Sequence, residues 1–230
     1  MTSTSPLLVP FAEGIWTART PHPFLGLQLG TRMTVVRLRD GGLLVHSPIA
    51  LSPALRAEIE QLGSVEHIVA PNLYHHVFAG ELQKAWPDAI LHAPARLASK
   101  RPDLRIDAPL GSAPHADWAG TLEPLVMRGS MLQETVFVHP STRTLVSCDL
   151  VEQFSSTEHL PSRIYFQTMG IWKKPGLAYV LRLVYRDRRA ARHSFDELLE
   201  RDFDRIVLSH GDLIEANGRE ILRDAYRWLE

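Results

Sequence analysis

Ala70-Pro71-Asn72-Leu73-Tyr74-His75-His76-Val77-Phe78-Ala79-Gly80 is the stretch on which the fold of this chain turns. The run before it, Glu66-His67-Ile68-Val69-Ala70, reads as a buried strand, and residues 78–86 read as a helix. Two adjacent histidines therefore stand in a loop between the end of a strand and the start of a helix. Strand-end loops are where open α/β sheets place their chemistry. Neutral imidazole is also the commonest metal ligand among side chains. A plainer role fits the same pair, one ring capping the helix and the other exposed, because adjacent histidines alone are a weak signal.

On the N-terminal side, residues 7–10 and 14–19 are short β-prone pieces, and 20–30 is a Pro- and Gly-rich loop. Residues 33–38 and 43–46 flank Arg39-Asp40-Gly41-Gly42, which predicts a hairpin with the primed two-residue turn that Asp-Gly favours. Ser52-Pro53 opens a helix striped by Leu55, Ile59 and Leu62 and ended by Gly63. On the C-terminal side, 89–92 reads as a strand, 95–100 as a short helix and 103–120 as irregular chain. Residues 122–127 predict a strand, and 135–139 with 143–148 a second hairpin around Pro140-Ser141-Thr142. The segment 151–176 is weakly patterned. Residues 177–189 predict a helix, and Ser194-Phe195-Asp196-Glu197 a capping box that opens another. A strand at 205–209 and a helix from about Ile214 close the chain.

The 230 residues, with no clean linker and no repeat, predict one domain over 1–230. Apolar residues make up 45%, enough for a sizeable core. A net charge of −1 gives no reason to expect nucleic acid as a partner. A single cysteine, Cys148, excludes an internal disulfide and fits a reducing compartment. Met1-Thr2-Ser3-Thr4-Ser5-Pro6 lacks the basic and apolar regions of a signal peptide, and no apolar run approaches the ~18 residues of a membrane span. The expected location is the cytoplasm, with no membrane partner.

Three strand ends carry candidate ligands: His75 and His76 after 66–70, Asp149 after 143–148, and His210 after 205–209. A fourth strand ends at His46. If these ends share one sheet edge, the groups converge. Imidazoles with a carboxylate suit zinc first, with iron, nickel and manganese as further candidates.

The order of elements, the strand-loop-helix around His75-His76, Ser147-Cys148-Asp149-Leu150 and Leu208-Ser209-His210-Gly211 together resemble the metallo-β-lactamase-like superfamily. Arg32-Met33-Thr34-Val35-Val36-Arg37-Leu38, His46-Ser47-Pro48-Ile49 and Ala70-Pro71-Asn72 look like an uncharacterised branch of it. The resemblance implies an α/β (α+β) fold, a four-layer αββα sandwich. Its hallmark loop is His-x-His-x-Asp-His, followed by a later His, a bridging Asp and a final His before Gly. Setting Asp-His on His75-His76 places Pro71 and Leu73 at the two earlier histidines and Ser130 near the later one. All three ligands of the family's first metal site are then missing. The second site keeps His76, Asp149 and His210, with His75 in place of the aspartate.

The set implied is three imidazoles and one carboxylate holding one divalent metal. His75 is either a direct ligand or a general base or orienting group, because adjacent side chains diverge. The implied activity is hydrolysis of a small-molecule ester, amide, lactone or phosphoester by metal-activated water. The alternative is an inactive member of the fold that binds a small molecule or a protein. An iron-dependent redox role is a third reading, against which the missing ligands speak.

His46 and Asn72 are expected within hydrogen-bonding reach of a ligand side chain or of a site water. Glu134 begins a strand near Ser130 and could approach the site as a general base, but reads first as a strand-end surface residue; Cys148 reads as a core residue facing away from Asp149. Arg182, Arg186, Arg188, Arg189 and Arg192 read as a solvated helix face. His22, His67, His92, His115, His139, His159 and His193 have no partner visible in the sequence.

Overall fold

The computed structural model describes residues 6–229; Glu230 and residues 1–5, on which the signal-peptide reading rests, lie outside it. The first half of the chain runs β1 (Val9–Ala12), β2 (Ile15–Thr20), a small hairpin β3 (Pro23–Phe24) and β4 (Leu27–Gln28), then β5 (Thr31–Arg37), β6 (Leu43–His46), α1 (Pro53–Leu62), β7 (Val65–Val69), α2 (Ala79–Ala85), β8 (Ile90–Ala93), α3 (Leu97–Lys100) and β9 (Ala108–Pro109). The second half runs β10 (Glu123–Val126), β11 (Thr135–His139), β12 (Thr144–Val146), α4 (Leu160–Thr168), α5 (Arg188–Leu199), β13 (Arg205–Val207) and α6 (Gly218–Ala225). A seven-stranded sheet has the order β1-β2-β5-β6-β7-β8-β9, and a four-stranded sheet the order β10-β11-β12-β13.

Strand alternation turns these sheets into four layers. Val35, Val45 and Ile68 face outward onto Leu55 and Ile59 of α1 and Leu82 of α2. Their neighbours Val36, Leu44 and Val69 face inward and meet Phe137 and Val146 of the second sheet. Val136, Val138, Leu145 and Ile206 face outward again, onto Phe195 and Leu198 of α5 and Leu222 of α6. This is the αββα sandwich. Strands β6, β7 and β8 are parallel, and so are β12 and β13, which gives each sheet a defined C-terminal edge.

The Asp40-Gly41 hairpin forms with a longer loop than expected. Leu38 N–H donates to Gly42 O at 2.8 Å and Gly41 N–H to Leu38 O at 3.1 Å. Gly41, at φ 94°, supplies the left-handed residue of this three-residue loop. Ser52 caps α1 as its sequence indicates, its Oγ accepting from Leu55 N–H at 3.1 Å. The helix expected over 177–189 is instead a 3-10 turn, Tyr179–Val184, followed by α5. Asp187 interrupts it by capping α5, its Oδ1 accepting from Ala190 N–H at 2.9 Å.

Ser194 opens no helix. It lies inside α5, where its Oγ accepts from Arg128 N–H at 3.1 Å. The weakly patterned segment 151–176 contains α4, which buries Phe166 stacked 3.7 Å from Phe154. The last helix starts at Gly218 because Ile214 pairs with Ile206 through two backbone hydrogen bonds, at 2.8 and 3.1 Å. No helix among the described residues is long and apolar enough to cross a membrane.

Candidate metal centre

The C-terminal edges of the two sheets meet where three ligand-type atoms converge. His75 Nε2 lies 3.3 Å from Asp149 Oδ1 and 3.2 Å from His210 Nε2, and His210 Nε2 lies 3.4 Å from Asp149 Oδ1. A tetrahedral zinc with bonds of 2.0–2.1 Å separates its ligand atoms by about 3.3 Å. The triangle therefore has the edges of one face of such a tetrahedron.

The second nitrogen of each ring is already engaged, which leaves Nε2 as the lone pair. His210 Nδ1 lies 2.7 Å from Gly30 O and donates to it. His75 Nδ1 lies 2.9 Å from Ser47 Oγ. Ser47 Oγ is 3.3 Å from Ser209 Oγ, and Ser209 donates to Arg32 O at 3.4 Å. With the His75 Nδ1 proton donated to Ser47 Oγ, the relay ends at the Arg32 carbonyl oxygen. Such partners fix the tautomer and orientation of a ligating ring.

The backbone around the rings is shaped to match. Ser47 sits at φ 56°, a left-handed conformation uncommon for a residue with a Cβ, and this turns its hydroxyl toward His75. Arg32 is buried and donates to Leu208 O and Gly211 O on both sides of His210. Burial and the neighbouring Arg19 lower its pKa to about 10, which leaves it charged at neutral pH.

Asn72 joins the loop to the carboxylate. Its Oδ1 accepts from Tyr74 N–H and His75 N–H, both at 2.8 Å, and its Nδ2 donates to Asp149 Oδ2 at 2.7 Å. One side chain thus forms the turn that presents His75 and holds the far oxygen of Asp149. Burial alone would raise the Asp149 carboxyl, but the His75 and His210 rings outweigh it and hold the group well below the usual carboxylate range. His210 is drawn down by burial and up further by Asp149 and Glu152, with a net rise.

Ser47→Ala removes the acceptor of His75 Nδ1 while changing little else. Metal binding at this site is expected to weaken about 10–100-fold, with the fold retained. Equilibrium dialysis against zinc measures it, and unchanged affinity would show that Ser47 does not orient the ring.

The family described as Domain of unknown function (DUF4336) matches residues 12–166. The chain belongs to the DUF4336 family. No curated protein matches it. Among solved structures, this DUF4336 chain is similar to a metallo-beta-lactamase from Pontibacter korlensis at 14% identity and a TM-score of 0.68, covering 96% of this chain and 97% of that one. It is similar to the metallo-beta-lactamase FIM-1 from Pseudomonas aeruginosa in its mono-zinc form, at 12% identity and a TM-score of 0.66, covering 96% and 93%. DIM-1 metallo-beta-lactamase matches at 12% identity and a TM-score of 0.68, over 97% of both chains. At these identities the comparison shows the fold: the DUF4336 chain has a metallo-β-lactamase-like fold.

Of the four ligand positions expected from this chain's sequence, the structure brings together His75, Asp149 and His210, and not His76. Adjacent side chains diverge, and Asn72 commits His75 to the centre. His76 turns toward α3, where its Nδ1 accepts from Arg101 Nη1 at 3.0 Å. Burial, then Lys100 and Arg101, lower its pKa.

His46 also departs from expectation. It alternates with Val45 into the layer between the sheets, edge-on to Phe137 at 5.7 Å. Neither ring nitrogen has a hydrogen-bond partner among the described residues, so His46 reaches no ligand side chain. Burial, with a smaller push from His75, lowers its pKa to about 3 and keeps the ring neutral.

Two carboxyls of this DUF4336 protein are buried, which the sequence reading did not show. Glu134 is 1% exposed, not a surface residue, and accepts from the backbone N–H of Cys148 at 2.6 Å and of Asp149 at 3.0 Å. Glu152 is buried, and its Oε2 has no partner among the described residues. Burial raises Glu152 to about 7, partly offset by His210, so it can exchange a proton near neutrality. His22 is close enough that, after burial, His210 and His75 lower its pKa. Cys148 is buried, and burial pushes its thiol well up, so it is not a reactive nucleophile.

Proposed function

We propose that the protein is a hydrolase dependent on one divalent metal held by His75, Asp149 and His210. Zinc is the first choice, with iron, nickel or manganese as the others that such donors take. The observation that carries this reading is the 3.2–3.4 Å triangle of Nε2, Nε2 and Oδ1, with each ring's Nδ1 already bonded. When bound, a divalent metal there supplies a Lewis acid and lowers the pKa of coordinated water toward ~7. The chain's own residues position the centre. Ser47 and Gly30 fix the rings, Asn72 holds Asp149, and Glu152 is a buried carboxyl able to take or return a proton at Oε2. The substrate proposed is a small-molecule ester, amide, lactone or phosphoester, turned over in the cytoplasm by a single domain.

The second reading is a binding protein of the same fold. It is favoured by Pro71, Leu73 and Ser130, which offer no imidazole where the resemblance would place the ligands of another metal. Elemental analysis of the purified protein, then assays on one representative of each substrate class with and without chelator, separates the two. Metal at this centre with chelator-sensitive turnover is the expected result. Bound metal with no turnover on any class favours the binding reading, and no metal at all overturns the proposal.

A further inference from the structure

A second group of histidines fills the other part of the inter-sheet layer. His67 on β7 and His92 on β8 point to the same face, with His67 Nδ1 3.0 Å from His92 Nε2. His115 and Asp117 come from the loop that closes over them, around the 3-10 turn Ala116–Trp118. The His115 ring lies 5.3 Å from both His67 and His92, and Trp118 packs against all three rings. Asp117 Oδ2 is 3.3 Å from His67 Nε2 and 3.2 Å from His115 Nδ1. One ligand atom each from His67, His115 and Asp117 falls within 4.8 Å of the other two.

We propose that His67, His115 and Asp117 form a separate site for a divalent first-row transition metal, with His92 orienting His67. His67 is 1% exposed, yet its Nε2 has no hydrogen-bond partner among the described residues. An Nε2–H tautomer would point its proton at Asp117 Oδ2 across the 3.3 Å ion-pair contact. The other tautomer donates from Nδ1 to His92 Nε2. It leaves an Nε2 lone pair facing a carboxylate, two acceptors that a cation between them would bridge.

A ligating histidine that donates its other ring N–H to a fixed acceptor is the usual supporting arrangement. Two imidazoles and a carboxylate are the donors that zinc, nickel and copper take. The Asp117 side chain is 43% exposed, and with His67 and Glu66 it lines a groove of about 650 Å³, which leaves room for water to complete the coordination. The bound ion ties the loop at 110–120 to the centre of the first sheet.

This site is independent of the His75 centre, and the test separates them. The full-length His75→Ala/His210→Ala protein, which lacks the first centre, is titrated with zinc alone by calorimetry, and bound metal is counted after dialysis. One zinc per chain is expected. Adding His115→Ala and Asp117→Ala removes it, and both positions lie on a partly exposed loop where the fold tolerates change. Asp117→Asn, which keeps the shape and loses the charge, is expected to weaken zinc at least tenfold in the same background. No zinc in the His75→Ala/His210→Ala protein overturns the proposal. So does zinc that persists unchanged after the His115 and Asp117 substitutions.

Discussion

His210→Ala and His75→Ala are each expected to lower metal affinity at the His75 centre by more than about 100-fold, whereas His76→Ala leaves it nearly unchanged. Loss of an orienting partner typically costs 10–100-fold, and loss of a ligand itself costs more. Each removed ring takes away one vertex of a three-membered set. The survivors are then one imidazole and Asp149, too few to enclose an ion. His76 contributes nothing to that set, because its Nδ1 is committed to Arg101 at 3.0 Å. His76→Ala instead loses a hydrogen bond to a charged donor, worth about 1.5–3 kcal/mol of stability. The two histidines thus separate metal binding from folding. Competition with a chelating dye, in an Asp117→Ala background so that the other cluster does not contribute, reads the first effect, and urea unfolding reads the second. If His76→Ala releases the metal and His75→Ala keeps it, the loop geometry described above is wrong.

The single elements were legible because their signals are local, and their assembly into a sandwich came from the resemblance. Ser52-Pro53 caps a helix by chemistry within three residues, and the alternation at Val35-Val36 and Val45-Leu44 assigns each strand two buried faces. The strand ends that carry His75, Asp149 and His210 could be read in the same way. Orientation could not. Which of two adjacent histidines enters the centre depends on Asn72 reaching Asp149, 77 positions away. Glu134 looks like an exposed strand end until the turn at 148–149 folds over it. The segment 177–189 has helical periodicity, but Asp187 spends its side chain on capping the next helix. His67, His92 and His115 had no visible partner because neighbouring parallel strands and a loop without periodicity bring them together.

Glu134→Ala is expected to cost about 2–6 kcal/mol, a large share of the 5–15 kcal/mol that holds an ordinary domain together. The carboxylate lies at the centre of a buried network. Oε1 accepts from Cys148 N–H at 2.6 Å, Oε2 from Asp149 N–H at 3.0 Å, and Asn72 Nδ2 approaches Oε2 at 3.5 Å. Burial first, and then the charge of Asp149, raise its pKa despite those donors. Alanine leaves two buried backbone N–H groups without an acceptor, each costing about 1–3 kcal/mol, and opens a cavity beneath Asp149. Glutamine keeps one acceptor oxygen but turns an NH2 toward a backbone donor, so Glu134→Gln is expected to cost less than alanine and still about 1–3 kcal/mol. Glu158 is exposed, and Glu158→Ala serves as the control, within about 0.5 kcal/mol of the parent. Urea unfolding of the three variants gives the order directly. The turn at 148–149 places Asp149, so the Glu134 variants also lose metal affinity as they lose stability. If Glu134→Ala unfolds at the same urea concentration as the Glu158→Ala control, the carboxylate does not support the metal centre, and the placement of Asp149 needs another cause.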